Sequence, residues 1–492
     1  MRVLIFHGYL LRGTGSNIYN ASLARALASL GHEVHLLCQE RDAGALDLPP
    51  GVTIHNPDIG EVLPVYVADS YERFEALPFP ELTEPQLQHY LEANVGAVRD
   101  VAHEVRPHVA LANHLVMGPV ILARGLDGRV PYAVKVHGSA LEYTVRPHAE
   151  RFLPYALEGL AGAAAVLVGS RHTAESLWEV TGDPDLPSRT RLGPPGVDVH
   201  HFRPKPATEL AESLRGLADR LESAATASWG GEAGAAKALS ALDPTSDRIV
   251  SYVGKLIVSK GVDLLIAAWP LVVASEPDAR LAIVGFGTYR EGLGRMLAAL
   301  AGRDLDALRA IAAAGRELEG GPRGRLTYLS AFLEGLEGAK LEAYLEAAPA
   351  AAARVAFTGR LEHSDLPALL PACEAQVVPS TFPEAFGMVA AEAAACGALP
   401  LSAGHSGLAE VSDTLREALV PKLKPLLSFE RGPGAVEEIA GKLIAWLATP
   451  ANEGQEASRA LSALARRRYG WEAVAEGVIA AAEGRLGDLT EP

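Results

Sequence analysis

The sequence predicts an α/β protein with two doubly wound parallel sheets, one after the other along the chain. Three observations lead to this prediction. Short, almost wholly apolar runs alternate with longer segments of helical periodicity, the alternation restarts near residue 249, and 492 residues are enough for two such domains. The apolar fraction of 49% and the charged fraction of 21% are those of a folded globular chain, which excludes a wholly disordered protein.

The first series opens with a strand at Val3–Phe6, and a helix follows over 16–30. Its apolar residues recur at helical spacing, and Gly31 ends it. The other strands predicted in this series are Val34–Cys38, Val109–Asn113, Tyr132–Val136 and Ala165–Gly169. The strands predicted in the second series are Ile249–Val253, Leu281–Gly285, Val355–Thr358, Ala375–Val378 and Ala398–Ser402.

The two series predict a first domain over 1–204 and a second over 248–452. Between them, residues 205–247 form an insertion. A leucine stripe predicts a helix over 208–227, and small residues predict a mobile stretch over 229–243. A second insertion, 291–352, is predicted to be mostly helical, and residues 453–492 to form a C-terminal helix and tail.

Charge, cysteines and hydropathy exclude several classes of protein. The net charge is −16, which argues against a nucleic-acid partner. The three cysteines, Cys38, Cys373 and Cys396, lie far apart and form no metal-type spacing or disulfide framework, which fits a reducing cytoplasm. No apolar run reaches the roughly 18–20 residues of a membrane helix, so we expect a cytoplasmic protein without an integral membrane span.

The most informative stretch is 379–408, which follows a predicted strand. A loop carries Glu384, Phe386-Gly387 open a helix, and that helix contains Glu392. The backbone N–H groups of 387–389 would point toward an anion, and the helix dipole would favour it. One carboxylate could bind a sugar and the other a ribose, with a diphosphate between them.

Three further motifs follow predicted strands. Lys255 and Lys260 flank a loop in which their charges could neutralise a diphosphate. His137 ends a first-domain strand, where functional residues of open α/β sheets gather. The first turn has glycines at Gly13 and Gly15 but lacks the third glycine of the dinucleotide-binding fingerprint.

Together these motifs resemble retaining, nucleotide-sugar-dependent glycosyltransferases of family 4. The resemblance implies the GT-B fold: two Rossmann-like domains face a central cleft, and a C-terminal helix crosses back to the first domain. It covers both domains in order but neither insertion. It rests on the Gly13/Gly15 turn, KVHGS, Pro195-Gly196-Val197-Asp198, GKLIVSKGVD, IVGFG, FTGR, PEAFGMVAAEAAACG and Tyr469-Gly470-Trp471.

The resemblance implies a role for each matching residue. Lys260 matches the lysine that binds the donor phosphate, and Lys255 stands where an arginine is usual and keeps its charge. Glu384 matches the glutamate that contacts the donor sugar, and Glu392 the one that binds the nucleotide ribose. His137 matches the histidine near the reacting carbon.

The remaining donor contacts are implied in the same way. Gly15 matches the glycine loop near the donor phosphate, and Arg360 and Leu361 lie where the base edge is read. The backbone that would hold sugar hydroxyls or phosphate is that of Phe386, Gly387 and Met388.

The implied reaction is retaining transfer of a hexosyl unit, with no protein nucleophile. The leaving diphosphate or the acceptor itself steers front-face attack, and Lys255, Lys260 and a helix N-terminus stabilise the leaving charge. The nucleotide-sugar is a co-substrate, so no cofactor is expected. Two Asp-x-Asp motifs, at 183–185 and 304–306, are interpreted as chance, so no metal is expected.

Two functions other than glycosyl transfer are compatible with these residues. The first is that of another enzyme with the same fold, a nucleotide-sugar hydrolase, epimerase or phosphorylase, of which the phosphorylases carry pyridoxal phosphate on a lysine. The second is that of a non-catalytic protein that binds sugar nucleotides. UDP is the family's commonest donor nucleotide, and GDP and ADP are also used. The oligomeric state is open, with a homodimer among the alternatives.

The acceptor is expected to be a small molecule with a hydroxyl group, bound by the first domain. The acidic stretch 57–91 argues against an anionic lipid surface and favours a soluble acceptor rich in amine or hydroxyl groups. Three cations near His137 point instead to an acceptor phosphate: Lys135, Arg146 and Arg151.

Overall fold

A computed structural model describes residues 1–11, 15–41, 46, 48–66, 74–224, 232 and 234–492. The chain forms two compact units. Unit 1 comprises Met1–Gly196 and Tyr469–Pro492, and unit 2 comprises Val197–Arg468. The first domain was predicted to end at 204, and the first segment of unit 1 ends at Gly196. Gly13 of the predicted glycine turn, and residues 225–231 and 233 of the first insertion, including the end of the helix predicted over 208–227, lie outside the described residues.

Unit 1 is built on a parallel sheet of seven strands in the order β3-β2-β1-β6-β7-β8-β9, beside a parallel pair, β4-β5. The strands are β1 (Arg2–Phe6), β2 (Glu33–Leu37), β3 (Val52–His55), β4 (Val62–Val65), β5 (Glu75–Pro78), β6 (Val109–Asn113), β7 (Tyr132–Val136), β8 (Ala165–Val168) and β9 (Thr190–Leu192). The helices are α1 (Gly15–Ser29), α2 (Glu84–Val105), α3 (Gly118–Leu126), α4 (Ala149–Ala161), α5 (Arg171–Thr181) and α6 (Leu186–Arg189).

Unit 2 contains a parallel sheet of six strands in the order β12-β11-β10-β13-β14-β15. The strands are β10 (Arg248–Val253), β11 (Ala279–Val284), β12 (Val355–Gly359), β13 (Ala375–Val378), β14 (Leu399–Ala403) and β15 (Ser428–Phe429). The helices are α7 (Ala207–Ala224), α8 (Ala235–Ser240), α9 (Val262–Ser275), α10 (Arg290–Ala301), α11 (Leu305–Ala314), α12 (Thr327–Gly335), α13 (Gly338–Ala352), α14 (Leu366–Leu369), α15 (Met388–Ala395), α16 (Ser406–Arg416), α17 (Ala435–Leu447) and α18 (Ala451–Tyr469).

The last helix, α19 (Trp471–Ala482), belongs to unit 1. It packs on α1 and on the strands β6, β7 and β8. The aromatic ring of Trp471 lies so close to Gly196 that a Cβ there would come within 2.4 Å of it. The C-terminal helix therefore closes one face of the first sheet, as the family resemblance implies.

The central strands of both sheets are buried because helices cover both faces. Val3, Leu4 and Ile5 of β1 have no exposed surface, and neither do Leu281, Ala282 and Ile283 of β11. Such strands show up in sequence as continuous apolar runs. In each sheet the strand order reverses beside the first strand, between β1 and β6 in unit 1 and between β10 and β13 in unit 2. Ligands of open α/β sheets bind at such switch points, outside the carboxyl ends of the strands.

The insertions are mostly helical packing elements of unit 2. Helix α7 carries the predicted leucine stripe, in which Leu214 and Leu217 are buried. Part of the stretch expected to be mobile is helical instead, because α8 packs on α7 and on β12. In the second insertion, α13 packs on α9 and α10.

Gly261 illustrates how closely the loops after β10 and β13 pack. Its φ of +66° is left-handed, and a Cβ there would lie 2.0 Å from the carbonyl oxygen of Pro379. We expect Gly261→Ala to lower the free energy of unfolding by about 2 kcal/mol or more, because both the backbone and the facing loop must shift. Urea unfolding of the full chain measures this.

Gly441 provides the matched control. It lies in α17, and a Cβ there meets nothing within 4 Å. Gly441→Ala should leave stability unchanged or raise it by about 0.5–1 kcal/mol. Equal effects of the two alanines would contradict the tight packing at Gly261.

Candidate functional site

The lysines and the glutamate predicted to bind the donor lie at the switch point of the sheet in unit 2. Lys255 and Lys260 follow β10, and the loop with Ser380 and Glu384 follows β13. The two loops are bonded to each other, since the backbone N–H of Thr381 donates to the carbonyl of Ser259 at 2.9 Å. Lys260 and Glu384, which are 124 residues apart in sequence, thus lie at the same edge of the sheet.

Glu384 and Lys260 form an ion pair whose side chains remain 23% and 30% exposed. The hydroxyl of Ser380 also donates to the Glu384 carboxylate, at 2.7 Å. The backbone of Glu384 is fixed as well: its N–H donates to the hydroxyl of Ser406 at 2.9 Å, and its carbonyl accepts from the N–H of Gly407 at 2.9 Å. The carboxylate and the ammonium are therefore held side by side and within reach of solvent.

Helix α15 begins directly after this loop, with Gly387 as its N-cap. The carbonyl of Gly387 accepts from the N–H groups of Ala390 and Ala391, at 3.0 and 3.1 Å. The N–H groups of Met388 and Val389 lie in the first turn, where an α-helix has no internal acceptors. Together with the helix dipole and Lys260, this end of the helix suits an anion such as a phosphate.

Glu392 lies on α15 with only 3% of its side chain exposed, and its Oε1 lies 2.7 Å from Nε2 of His363. His363 follows β12, in a short 3-10 turn at His363–Asp365. Burial lowers the pKa of His363. The hydrogen bond and charge of Glu392, with the charge of Asp198, outweigh burial and raise that pKa overall.

This raised pKa predicts how stability depends on pH. A histidine whose pKa is raised by folding stabilises the fold below its unfolded pKa of about 6.5, and the effect is lost as pH rises through the folded value. We therefore expect His363→Gln to lower Tm more at pH 6 than at pH 9. Thermal unfolding at both values measures this, with His148→Gln, at an exposed position of unit 1, as control. A loss of Tm independent of pH would contradict the ion pair.

The other predicted donor residues of unit 2 follow β10 and β12 or lie at the start of α15. Lys255 is exposed, and its carbonyl accepts from the hydroxyl of Tyr252 at 2.9 Å. Arg360 bonds Glu362 at 3.1 Å and lies over the ring of Phe286. Three further predicted positions are buried or half-buried: Leu361, Phe386 and Met388.

His137 and Gly15 belong to unit 1. His137 follows β7, and its Nε2 lies 2.9 Å from Oδ1 of Asn113, at the end of β6. Burial, with the charges of His114, Lys135 and His7, holds the pKa of His137 well below its usual range. Gly15 is exposed at the start of α1, and a Cβ there meets nothing within 4 Å.

All three cations assigned to an acceptor phosphate are engaged elsewhere. Arg146 bonds Glu179 at 3.1 Å and the hydroxyl of Ser176 at 2.8 Å. Arg151 donates to the carbonyl of Leu82 at 2.7 Å and to that of Pro80 at 3.1 Å. Lys135 is 2% exposed, its ammonium group donates to the carbonyl of Gly193, and burial lowers its pKa to about 7. The fold thus gives these arginines partners that sequence proximity to His137 did not indicate.

The two Asp-x-Asp motifs have local structural roles. Asp183 pairs with Arg189 at 3.2 Å, and Asp304 caps α11 by accepting from the N–H of Ala307 at 2.9 Å. Across the part of the chain that the structure describes, no group of three His, Cys, Asp or Glu side chains is arranged to hold a metal ion. Among the described helices, none is long and apolar enough to cross a membrane.

Several residues of these clusters were not predicted from the sequence. Ser380, Ser406 and His363 contact the two glutamates, and Asn113 contacts His137. The position of Asn113 at the end of a predicted strand was the available signal. For His363 the sequence carries no such signal, because its partner is 29 residues away and on another element.

Comparisons with known proteins agree with this arrangement. A family model described as glycosyl transferase 4-like domain matches residues 14–186, and one described as glycosyl transferases group 1 matches residues 335–420. Two curated relatives are named D-inositol 3-phosphate glycosyltransferase. The protein of Segniliparus rotundus is 25% identical, over 96% of this chain and 85% of its own length. The protein of Frankia alni is 25% identical, over 94% and 93%.

Solved structures share the fold along almost the whole chain. Sucrose-phosphate synthase from Thermosynechococcus elongatus is 19% identical, with a TM-score of 0.56 and 99% of each chain covered. Anabaena HepE in complex with UDP and glucose is 18% identical, with a TM-score of 0.55 and 98% of this chain and 99% of that chain covered.

The two parallel α/β sheets and their match to these structures show that the protein has the GT-B fold. The family models show a glycosyltransferase that uses a nucleotide-sugar donor. The chain belongs to the glycosyltransferase family 4-like group.

Proposed function

We propose that this protein transfers a hexosyl unit from a UDP-sugar to a hydroxyl group of a small acceptor, with retention of the anomeric configuration and without a metal ion. The observation that carries this proposal is the ion pair of Lys260 and Glu384 at the N-terminus of α15, with Glu392 buried in the same helix. In this proposal Lys260, Lys255 and the helix N-terminus bind the diphosphate, Glu384 the sugar and Glu392 the ribose.

The chemistry follows from these charges. The bond between the anomeric carbon and the phosphate oxygen breaks, and the acceptor oxygen attacks the same face of the sugar. The acceptor proton passes to the leaving diphosphate, so no side chain has to act as nucleophile. Fixed positive charge beside the leaving oxygens lowers the barrier, because it stabilises charge that develops in the transition state. His137 contacts the reacting sugar or the acceptor in this scheme.

The two charged groups proposed to bind the donor, Lys260 and Glu384, are paired with each other in the structure. In the structure Lys260 binds Glu384, and a diphosphate would compete for its ammonium group. The carboxylate would then be free to accept hydrogen bonds from sugar hydroxyls. This exchange gives one pair of side chains two tasks: one holds the phosphate and the other the sugar.

Relatives suggest the first substrates to try. HepE was crystallised with UDP and glucose, and the curated relatives are named for D-inositol 3-phosphate. We propose a small polyol as acceptor. Because Arg146 and Arg151 have partners within unit 1, a phosphate on that acceptor would need another cation.

The test is a panel of UDP-, GDP- and ADP-sugars, each with and without EDTA, read by nucleotide release and thermal shift. Inositol and D-inositol 3-phosphate are the first acceptors, and NMR of the anomeric proton reports the configuration of the product. We expect stabilisation and turnover with UDP-sugars, unchanged by EDTA, and a product with the configuration of the donor. Stabilisation by GDP- or ADP-sugars alone, loss of turnover in EDTA, or an inverted product would each overturn the corresponding part of the proposal.

A further inference from the structure

A continuous chain of hydrogen bonds ends on His137. It runs through side chains at the carboxyl ends of β1 and β6 and on α1. Asn20 Nδ2 lies 3.0 Å from His7 Nδ1, Asn113 Nδ2 lies 2.7 Å from Asn20 Oδ1, and His137 Nε2 lies 2.9 Å from Asn113 Oδ1. Of its members, His7, Asn20 and Asn113 are each at most 1% exposed. This series of hydrogen bonds is therefore shielded from water from His7 as far as Asn113.

Backbone carbonyls fix the direction of every bond in this chain. Asn20 Nδ2 donates to the carbonyl of Ser16 at 2.9 Å, and Asn113 Nδ2 to that of Phe6 at 3.2 Å. Each carbonyl only accepts, so each amide must point its NH₂ group toward it and its oxygen along the chain. Asn113 thus presents Oδ1 to His137. Because this oxygen cannot donate, the hydrogen must be on His137 Nε2.

The hydrogen on Nε2 determines the protonation state of the other ring nitrogen, Nδ1. A neutral imidazole carries one hydrogen, so Nδ1 of His137 keeps a lone pair and accepts hydrogen bonds. The rings of His114 and Tyr19 pack against that of His137, at centroid distances of 4.9 and 5.0 Å, and the charges of Lys135 and His7 also act on it. Burial and the positive charges among them oppose protonation of His137.

His114 places a second imidazole ring directly beside His137. Its ring is 2% exposed and lies 4.9 Å from that of His137, centroid to centroid. Neither of its ring nitrogens hydrogen-bonds any residue that the structure describes. Buried polar groups are normally hydrogen-bonded, and a hydroxyl group, which both donates and accepts, satisfies either nitrogen.

We propose that Asn113 is a positioning residue, which fixes His137 as the Nε2–H tautomer so that His137 Nδ1 and the adjacent His114 bind an uncharged hydroxyl group of the substrate. The proposal rests on the function proposed above for the role of His137. It extends that function by naming the atom that binds, the kind of group bound and the residue that holds the ring.

Imidazole nitrogen shifts test the tautomer directly and require no substrate. The full chain is labelled with ¹⁵N-histidine, and His137→Gln identifies the signals of residue 137. We expect long-range ¹H–¹⁵N spectra between pH 6.5 and 8.5 to give a protonated Nε2 and an unprotonated Nδ1 for His137. A protonated Nδ1 in this range would overturn the proposal, whether or not the protein turns over any sugar nucleotide.

Asn113→Asp tests the functional consequence. A carboxylate at 113 favours the doubly protonated ring, in which Nδ1 donates instead of accepting. Donor turnover at pH 6.5 should fall about tenfold or more relative to the wild type at the same pH, and this deficit should disappear toward pH 9. Asn94→Asp is the matched control, since Asn94 is buried in α2 and binds the carbonyl of Tyr90.

The outcomes separate a positioning role from a structural one. A steeper pH profile for Asn113→Asp alone supports the proposal. Parallel pH profiles for the two aspartates, with only Tm lowered, would overturn it. If the wild type turns over no donor, the function proposed above fails, while the nitrogen shifts of the unsubstituted protein still decide the tautomer.

Discussion

Turnover is expected to fall by roughly 10²–10³-fold when Lys260 is replaced with alanine. The ammonium group is the charge held beside Glu384 at the N-terminus of α15, and in the proposed reaction it stabilises the leaving diphosphate. Since that charge develops as the bond to the sugar breaks, the loss should appear in kcat as well as in kcat/KM. Steady-state rates of nucleotide release measure both.

A second ion pair in unit 2 supplies the control. Lys422 pairs with Glu453 and is 63% exposed, so Lys422→Ala removes a similar charge from the surface. Its effect on turnover should be within twofold, since surface pairs contribute about 0–1 kcal/mol. A loss in Lys260→Ala no larger than that in Lys422→Ala would exclude Lys260 from the reaction.

A related change is Glu384→Gln. It should leave Lys260 without its negatively charged partner and weaken sugar recognition.

Glu392→Gln is expected to weaken donor binding by about 10–100-fold, with a smaller change in kcat. A carboxylate that accepts from ribose hydroxyls contributes about 1.5–3 kcal/mol, because hydrogen bonds to charged groups are the stronger kind. The contact is remote from the reacting carbon, so it should stabilise the ground state and the transition state alike and appear mainly in KM. KM and kcat for the donor measure this.

Glu392 is also part of the fold, through His363, so the control must share that property. Glu374 forms an ion pair with Arg248 and is 35% exposed, and it lies at the start of β13, at the opposite end of the strand from the donor loop. Glu374→Gln should lower Tm with little change in KM. Equal changes in KM for the two glutamines would show that Glu392 acts through stability alone.

The central strands were predictable because burial on both faces leaves a readable pattern. Val109–Asn113, Tyr132–Val136 and Ala375–Val378 have the predicted bounds, and every residue in them is buried. The edge strand β3 was missed, since each of its residues is half-buried or exposed and polar residues alternate through it. The strand β9, with three residues, is too short to carry a pattern.

The site was predictable only where one motif contains it. The spacing of Glu384 and Glu392 and the lysines after β10 are local features of the sequence. The contact of His363 with Glu392 and the chain from His7 to His137 join elements that are distant in sequence, so only the folded chain brings them together. Arg146 shows the converse, because folding supplies it with Glu179 and removes it from the predicted phosphate site.

The most direct test of the account is the affinity for UDP of the wild type and of Glu392→Gln, measured by isothermal titration calorimetry in EDTA. We expect metal-independent binding by the wild type and a Kd about 10–100-fold higher for Glu392→Gln. Equal Kd values for the two proteins would contradict this expectation, because the nucleotide would then not be held by the buried carboxylate of α15.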